Sequence, residues 1–323
     1  MSALILTHLG ESVPLYIRDC IHQFRLWNAD VPVYVVLDRL HAGNSFWLSL
    51  DAQLVYTDTL TPTDHHRAFQ AGFKGDTVFR KGYWKHVKER FFFVEELMMQ
   101  HDLADVISME YDVLVYGSFA ALREKLGALP RTLRMVMDND ERGHPAFLYI
   151  PHHSDISLFN TFLASINDMP LEDMQSLRMY ARLFPMNYFP VLTEARNRSR
   201  SQRRSLSGHT VADPFFLSQD SEHFGILFDS LVAGQWLGGI DPRNTGNRKI
   251  THYANESALY QFTEMSFAWE KHEGKLWRPV LDGRSLMTVH MHSKALHCFL
   301  SDRAEMPTDD YDVGTVFKSL LPN

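Results

Sequence analysis

Cysteine is scarce in this chain, with only Cys20 and Cys298 among 323 residues. Cys20 falls in a helical pattern and Cys298 in an apolar run, so buried free thiols are expected rather than a disulfide, and with them a reducing, cytoplasmic setting. Positive charge is also short: 32 lysines and arginines face 39 acids, a formal charge of −7. That balance excludes nucleic-acid or anionic-membrane binding through a general positive field, so any bound phosphate needs a local device. No stretch approaches the roughly 20 apolar residues of a membrane helix. The apolar start, Met1 to Leu9, lacks a basic leader and a small-residue cleavage site, and it reads as a first strand. Internal repeats are absent, and no linker divides the chain into independent domains.

Hydrophobic residues, 45% of the chain, supply ample material for a core. Ser12-Val13-Pro14 suits a helix start, and Ile17, Cys20, Ile21, Phe24 and Trp27 follow at helical spacing. The continuous apolar run Val33 to Leu37, ending in Asp38, suits a strand buried on both faces. Leu54 to Thr57 reads as a shorter third strand, and Pro62 to Gly82 as a polar loop. From Trp84 to Met99 the residues Trp84, Val87, Phe91, Val94 and Met98 share one face, the pattern of an amphipathic helix. It leads into the strand Val106 to Met109. Strands alternating with helices over about the first 120 residues predict an α/β fold, a mostly parallel central sheet with helices on both faces. Further strands are read at Met135–Met137 and Phe147–Ile150, then a helix from Leu158 to Ile166.

In such sheets ligands lie beyond the carboxyl ends of the strands, which is where Glu110-Tyr111-Asp112 falls. In extended backbone the two carboxylates project to the same side. Acids converging at a strand end can hold a hard divalent ion, which in turn neutralises diphosphate oxygens. A solvated turn is the plain alternative. Apolar Val106 to Met109 before the acids and Val113 to Val115 after them weigh against it, because burying unpaired carboxylates is costly and a cation is their natural partner. The second element is His290-Met291-His292-Ser293-Lys294, after the apolar run Leu286 to Val289. Alternation points both imidazoles one way, toward a metal, and Lys294 suits a phosphate as a point charge. One histidine in the core and the other hydrogen-bonded is the bland reading of the same pattern.

With these elements together the sequence resembles the GT-A glycosyltransferases that carry a DxD motif. The strings Ile-Ser-Met-Glu-Tyr-Asp-Val-Leu-Val-Tyr, Gly-Gln-Trp-Leu-Gly-Gly-Ile-Asp-Pro-Arg-Asn and Val-His-Met-His-Ser-Lys are similar to ones in bacterial and large-virus members, and the resemblance spans most of the chain. It implies one Rossmann-like GT-A domain over 1–323, with a nucleotide-binding half, 1–118, and an acceptor-binding half, 119–323. It further implies transfer of a sugar from a nucleoside-diphosphate donor, expected to be a UDP-sugar, to a hydroxyl acceptor such as a glycan. Mn²⁺ or Mg²⁺ would be the cofactor. Asp112 matches the direct metal ligand, Glu110 the partner that binds ribose or metal, and His290 or His292 the histidine completing the shell. Glu110 departs from the usual first aspartate by one methylene. Thr7, His8 and Asp38 occupy places that contact base and ribose, Tyr111 belongs with the donor contacts, and Arg90 reaches toward the donor phosphates.

Trp84 suits a core position better than a base-stacking one. Gly238-Gly239 permits close backbone approach before the Asp241-Pro242 turn, marking a loop where a sugar can lie. Asp241 is the first candidate for the base that an inverting transfer needs, and Asp229 the second. The arginine-rich stretch from Arg196 to Ser207 reads as a mobile loop, either a solvated segment or a lid over the donor. His65-His66 and His152-His153 read as surface pairs. Two rival functions stay open: a nucleotidyltransferase acting on sugar phosphates, disfavoured by the single glycine in Thr7-His8-Leu9-Gly10, and a non-catalytic nucleotide- or carbohydrate-binding module.

Overall fold

The architecture is that of a computed structural model describing residues 2–200, 202–318 and 320. Strands β1 (Leu4–His8) and β2 (Val33–Leu37) are apolar runs buried almost throughout. They pair in parallel, Leu4 opposite Val33 and His8 opposite Leu37. Helix α1 (Ile17–Trp27) makes the crossover between them, burying Ile17, Cys20, Ile21 and Phe24 as the spacing requires. β3 (Gln53–Tyr56) joins the far side of β2, and β4 (Val106–Met109) the near side of β1, both in parallel. Strand β5 (Val113–Val115) leaves this sheet. After the helix Phe119–Gly127 the chain forms β6 (Arg134–Asn139) and β7 (Arg142–Ile150), an antiparallel pair, and β7 runs antiparallel to β4. With β8 (Asn187–Tyr188) beside β6, the seven-stranded order is β3-β2-β1-β4-β7-β6-β8. The expected α/β fold with a mostly parallel sheet is therefore present. Both cysteines are buried free thiols. Among the described residues no helix is long and apolar enough to cross a membrane.

Four expectations fail, each because tertiary contacts overrule a local pattern. The 62–82 segment is not simply a loop, since Asp64–Gly72 forms a helix capped by the Thr63 side chain. The Trp84 helix, Tyr83–Gln100, is not amphipathic: every residue from Phe91 to Met98 is buried. It lies between the sheet and neighbouring helices, and its glutamates survive burial because histidines meet them. His65 Nε2 lies 2.6 Å from Glu95 and His66 Nδ1 2.7 Å from Glu96, while Gln70 donates to Glu89 at 2.9 Å. His65-His66 is thus an internal pair, His66 wholly buried. By contrast His152 stays at the surface, where it caps the helix His153–Ser165. The arginine-rich stretch is built rather than loose. Glu194–Arg198 is helical, Gln202–Arg204 pairs with Thr210–Ala212, and Arg196 forms a two-pronged bond to Asp282. Ser201 of that stretch, like Met1 of the first strand's approach, lies outside the described residues.

Candidate metal and phosphate site

Glu110, Tyr111 and Asp112 form a turn rather than an extended run, closed by a 3.2 Å bond from the Val113 amide to the Glu110 carbonyl. The acids still converge, because the turn delivers the chain into β5. There the strand Thr288–His290 pairs antiparallel with it, His290 opposite Val113. One bond further along, the Met291 amide donates to the Asp112 carbonyl at 2.8 Å. Glu110, Asp112 and His290 consequently each offer a ligand atom within 4.8 Å of the others.

His290 Nε2 lies 3.0 Å from Asp112 Oδ2 and 3.6 Å from Glu110 Oε2. Neither ring nitrogen of His290 is aligned for a hydrogen bond, although both are buried. A buried imidazole with unspent nitrogens facing two carboxylates fits the donor set of a hard divalent cation. Two resident cations flank the acids. Lys294 Nζ bonds to Asp112 Oδ2. Arg90 donates to Glu110 Oε1 at 2.6 Å and to Asp173 Oδ2 at 2.7 Å. Burial works against ionising Asp112, but His290 and Lys294 overcome it and hold its carboxyl well below the usual range. Burial likewise opposes the charge on Glu110, and Arg90 restores it. The result is a buried centre with anionic ligands, edged by cations suited to phosphate oxygens.

His290 is placed by its backbone. Asp229 accepts from the His290 amide at 3.0 Å and from the Ala233 and Gly234 amides, each at 2.9 Å. One carboxylate therefore ties the strand to the start of the helix Val232–Gly238. The two approach so closely that a Cβ on Gly234 would lie 1.8 Å from the His290 carbonyl oxygen, and only glycine fits.

The centre opens into a cleft of about 730 Å³ at the carboxyl ends of β1 and β4, lined by Thr7, His8, Arg90 and Tyr111 among others. Thr7 Oγ1 is buried without a partner. His8 spans Tyr111 Oη at 3.0 Å and the Ser12 carbonyl at 2.6 Å. Burial lowers the pKa of its imidazole to about 4, leaving the ring neutral. Asp241 also lines the cleft, with both oxygens taken by Arg243 at 2.6–3.0 Å; it holds an arginine rather than standing free as a base. His292 faces the cleft apart from the Glu110–Asp112–His290 group, its Nδ1 3.4 Å from Gln235 Nε2. Burial lowers its pKa to about 3.

Other expected residues do not reach the cleft walls. Asp38 accepts from the Gly10 amide at 2.6 Å and so shapes the loop after β1. Asp229 is the buried tie just described. Gly238 packs on Met291 and Ser293, and Gly239, at φ +87°, would drive a Cβ to 2.0 Å from the Ile250 carbonyl oxygen. These glycines serve chain packing.

No protein-family model matches the sequence, and no curated protein matches it. Among solved structures the chain is similar to mouse xyloside xylosyltransferase 1 in its apo form, at 10% identity over 59% of this chain and 86% of that one, with a TM-score of 0.43. It is similar also to the galactosyltransferase LgtC in complex with donor and acceptor sugar analogues, at 13% identity, 59% and 73% coverage and a TM-score of 0.42. A third is the glycosyltransferase GlyE of Streptococcus pneumoniae TIGR4, at 11% identity, 58% and 45% coverage and a TM-score of 0.38.

Several cleft residues carried no signal in the sequence. His144, on β7, sets its ring edge-on to His290 with centroids 5.0 Å apart. Burial lowers its pKa to about 3, so it meets its neighbour as a neutral ring. Asp173 begins a helix that ends at Leu183; it lines the cleft and accepts from Arg90. Trp84, expected in the core, is half-buried on the cleft wall; of the stripe it shares with Val87 and Phe91, Val87 also lines the cleft and only Phe91 is buried in the core.

Proposed function

We propose that the chain is a metal-dependent glycosyltransferase that moves a sugar from a nucleoside-diphosphate donor, a UDP-sugar being the expected one, to a hydroxyl acceptor such as a glycan. The observation carrying this reading is the buried Glu110–Asp112–His290 group, with unspent histidine nitrogens, set between Arg90 and Lys294 at the carboxyl end of β4. Glu110, Asp112 and His290 would hold Mn²⁺ or Mg²⁺, which when bound supplies Lewis-acid neutralisation of the leaving diphosphate. The protein's own part is preorganisation. Lys294 and Arg90 add fixed positive charge where the leaving group develops negative charge, in a site sheltered from water. Thr7 offers a free hydroxyl, and Tyr111 is oriented by neutral His8, on the side assigned to the nucleotide. In this reading residues 1–118 serve the donor and 119–323 close the acceptor side.

The test is to incubate the full chain with a panel of UDP- and GDP-sugars and Mn²⁺, with and without a chelator, and to measure free nucleotide. Chelator-sensitive release of diphosphate supports the proposal. Monophosphate or pyrophosphate chemistry would point to nucleotidyl transfer, and no turnover with intact nucleotide binding to a binding module; either result removes it.

A further inference from the structure

An aromatic patch at the mouth of the cleft has no part in the machinery above. Three consecutive residues preceding the Tyr83–Gln100 helix have positive φ, Arg80 at 43°, Lys81 at 57° and Gly82 at 95°. Side chains with a Cβ avoid that region, so the turn is held by its surroundings. Arg80 donates to Asn244 Oδ1 at 2.8 Å, and Lys81 pairs with Glu11. The turn lays Phe79 back over Trp84, with centroids 5.7 Å apart and planes 22° from parallel. Tyr83 meets both rings edge-on, at 6.0 and 5.1 Å. All three rings line the cleft. Phe79 is 42% exposed and Tyr83 40%, so the fold spends backbone strain to hold apolar rings in water, the mark of a contact surface.

We propose that Phe79, Tyr83 and Trp84 form the subsite for the acceptor saccharide, whose pyranose C–H faces stack on these rings. The assignment rests on the glycosyltransferase reading and sets an acceptor contact in the 1–118 half otherwise given to the donor. An aromatic face is electron-rich, and the C–H groups on one face of a sugar ring carry the complementary partial charge. The hydroxyls at the sugar's rim would meet charged residues lining the same cleft, among them Arg80 and Lys81 of this turn. A nucleobase is the other flat ligand a transferase holds, but this turn carries none of the residues assigned to it. The residues assigned to the base and ribose end β1 and β2 instead. The platform thus runs from exposed Phe79 toward the acid centre, where burial and the charges of Asp173 and Glu110 push the pKa of the Tyr83 hydroxyl up.

The experiment titrates the full chain with maltose, lactose, cellobiose and chitobiose, and separately with UDP plus Mn²⁺, following ligand signals by saturation-transfer NMR. The wild type should bind at least one of the disaccharides. Phe79→Ala, a change at an exposed ring, should weaken that binding about tenfold or more and leave UDP affinity unchanged; Phe79→Trp should keep the saccharide. Failure of all four sugars to bind, or undiminished binding by Phe79→Ala, overturns the subsite. Loss of UDP rather than sugar in Phe79→Ala also overturns it and gives the platform to the base. If UDP fails to bind the wild type while saccharide binding still drops in Phe79→Ala, the donor reading falls and the saccharide platform stands.

Discussion

Among the described residues two buried histidine–carboxylate clusters stand in contrast, and one of them faces a cleft. In the first, His65 and His66 meet Glu95, Glu96 and Glu89 of the long helix, with Gln70 donating to the Glu89 oxygen and Asn160 to the Glu95 oxygen that the histidines face. In the second, Glu110, Asp112 and His290 meet at the cleft floor, and the histidine nitrogens remain unbonded. Burial of charge is common to both, so burial alone does not mark function. Unspent ligand atoms open to a cavity do.

The sharpest way to break the comparison is to neutralise one acid at the open site. Asp112→Asn should lower Mn²⁺-dependent release of UDP from the donor on the order of 10²–10³-fold, the loss expected when a principal electrostatic contact is removed, in protein that circular dichroism shows to be folded at the assay temperature. Turnover equal to wild type would remove Asp112 from the site.

The matching change at the closed cluster should damage the fold instead. His66→Ala leaves Glu89 and Glu96 buried without their cationic partner, a loss of about 3–5 kcal/mol, seen as a lower denaturation midpoint. A cluster that tolerates this change is not the structural counterpart described here. Its pH response sharpens the point. Burial pulls the His66 pKa down, but Glu89 and Glu96 hold it at about 9, above the ordinary 6.5. A raised folded-state pKa stabilises fully below about pH 6.5 and fades as pH rises through 9. The wild-type melting temperature should therefore fall across that window more steeply than that of His66→Gln; parallel curves would show that His66 is neutral in the fold.

A smaller effect is expected between the clusters and the surface. Gly234→Ala sets a methyl group against the His290 carbonyl, and the strand must shift by an overpacking cost of about 1–3 kcal/mol. Mn²⁺ affinity, read by paramagnetic broadening, should fall with it, and unaltered affinity would show that His290 does not depend on this contact. Smallest is Arg196→Ala. Its partner Asp282 is mostly buried, but the arginine is about one-third exposed, so the loss should stay within about 1 kcal/mol. Donor turnover should be untouched, because the arginine-rich stretch lines no part of the cleft; a large loss would revive the idea of a lid.

Much of the sheet was legible in the sequence. The β1, β2 and β4 segments are continuous apolar runs, and continuous apolarity in short segments means a strand covered on both sides. The acids of 110–112 were legible too, since polar residues between apolar runs are conspicuous. What misled were patterns whose meaning depends on distant partners. Glu89, Glu95 and Glu96 look like the wet face of a helix until His65 and His66 are folded against them. Asp229 looks like a catalytic carboxylate until its three backbone amides are seen, and Asp241 until Arg243 closes on it. Five arginines between 196 and 204 read as disorder, yet Asp282, Glu264 and Glu194 give three of them ionic partners.

By itself the sequence determined that this chain builds a mostly parallel α/β sheet with Glu110 and Asp112 at the end of an internal strand, because those features depend on local periodicity and on the cost of burying charge. Which residues join the acids was decided only in three dimensions. Asp112 and Lys294 are 182 positions apart, and they meet because β5 leaves the main sheet to pair with Thr288–His290. That pairing brings His290, and not His292, against the carboxylates, a choice made by strand register and by the Asp229 tie rather than by spacing along the chain.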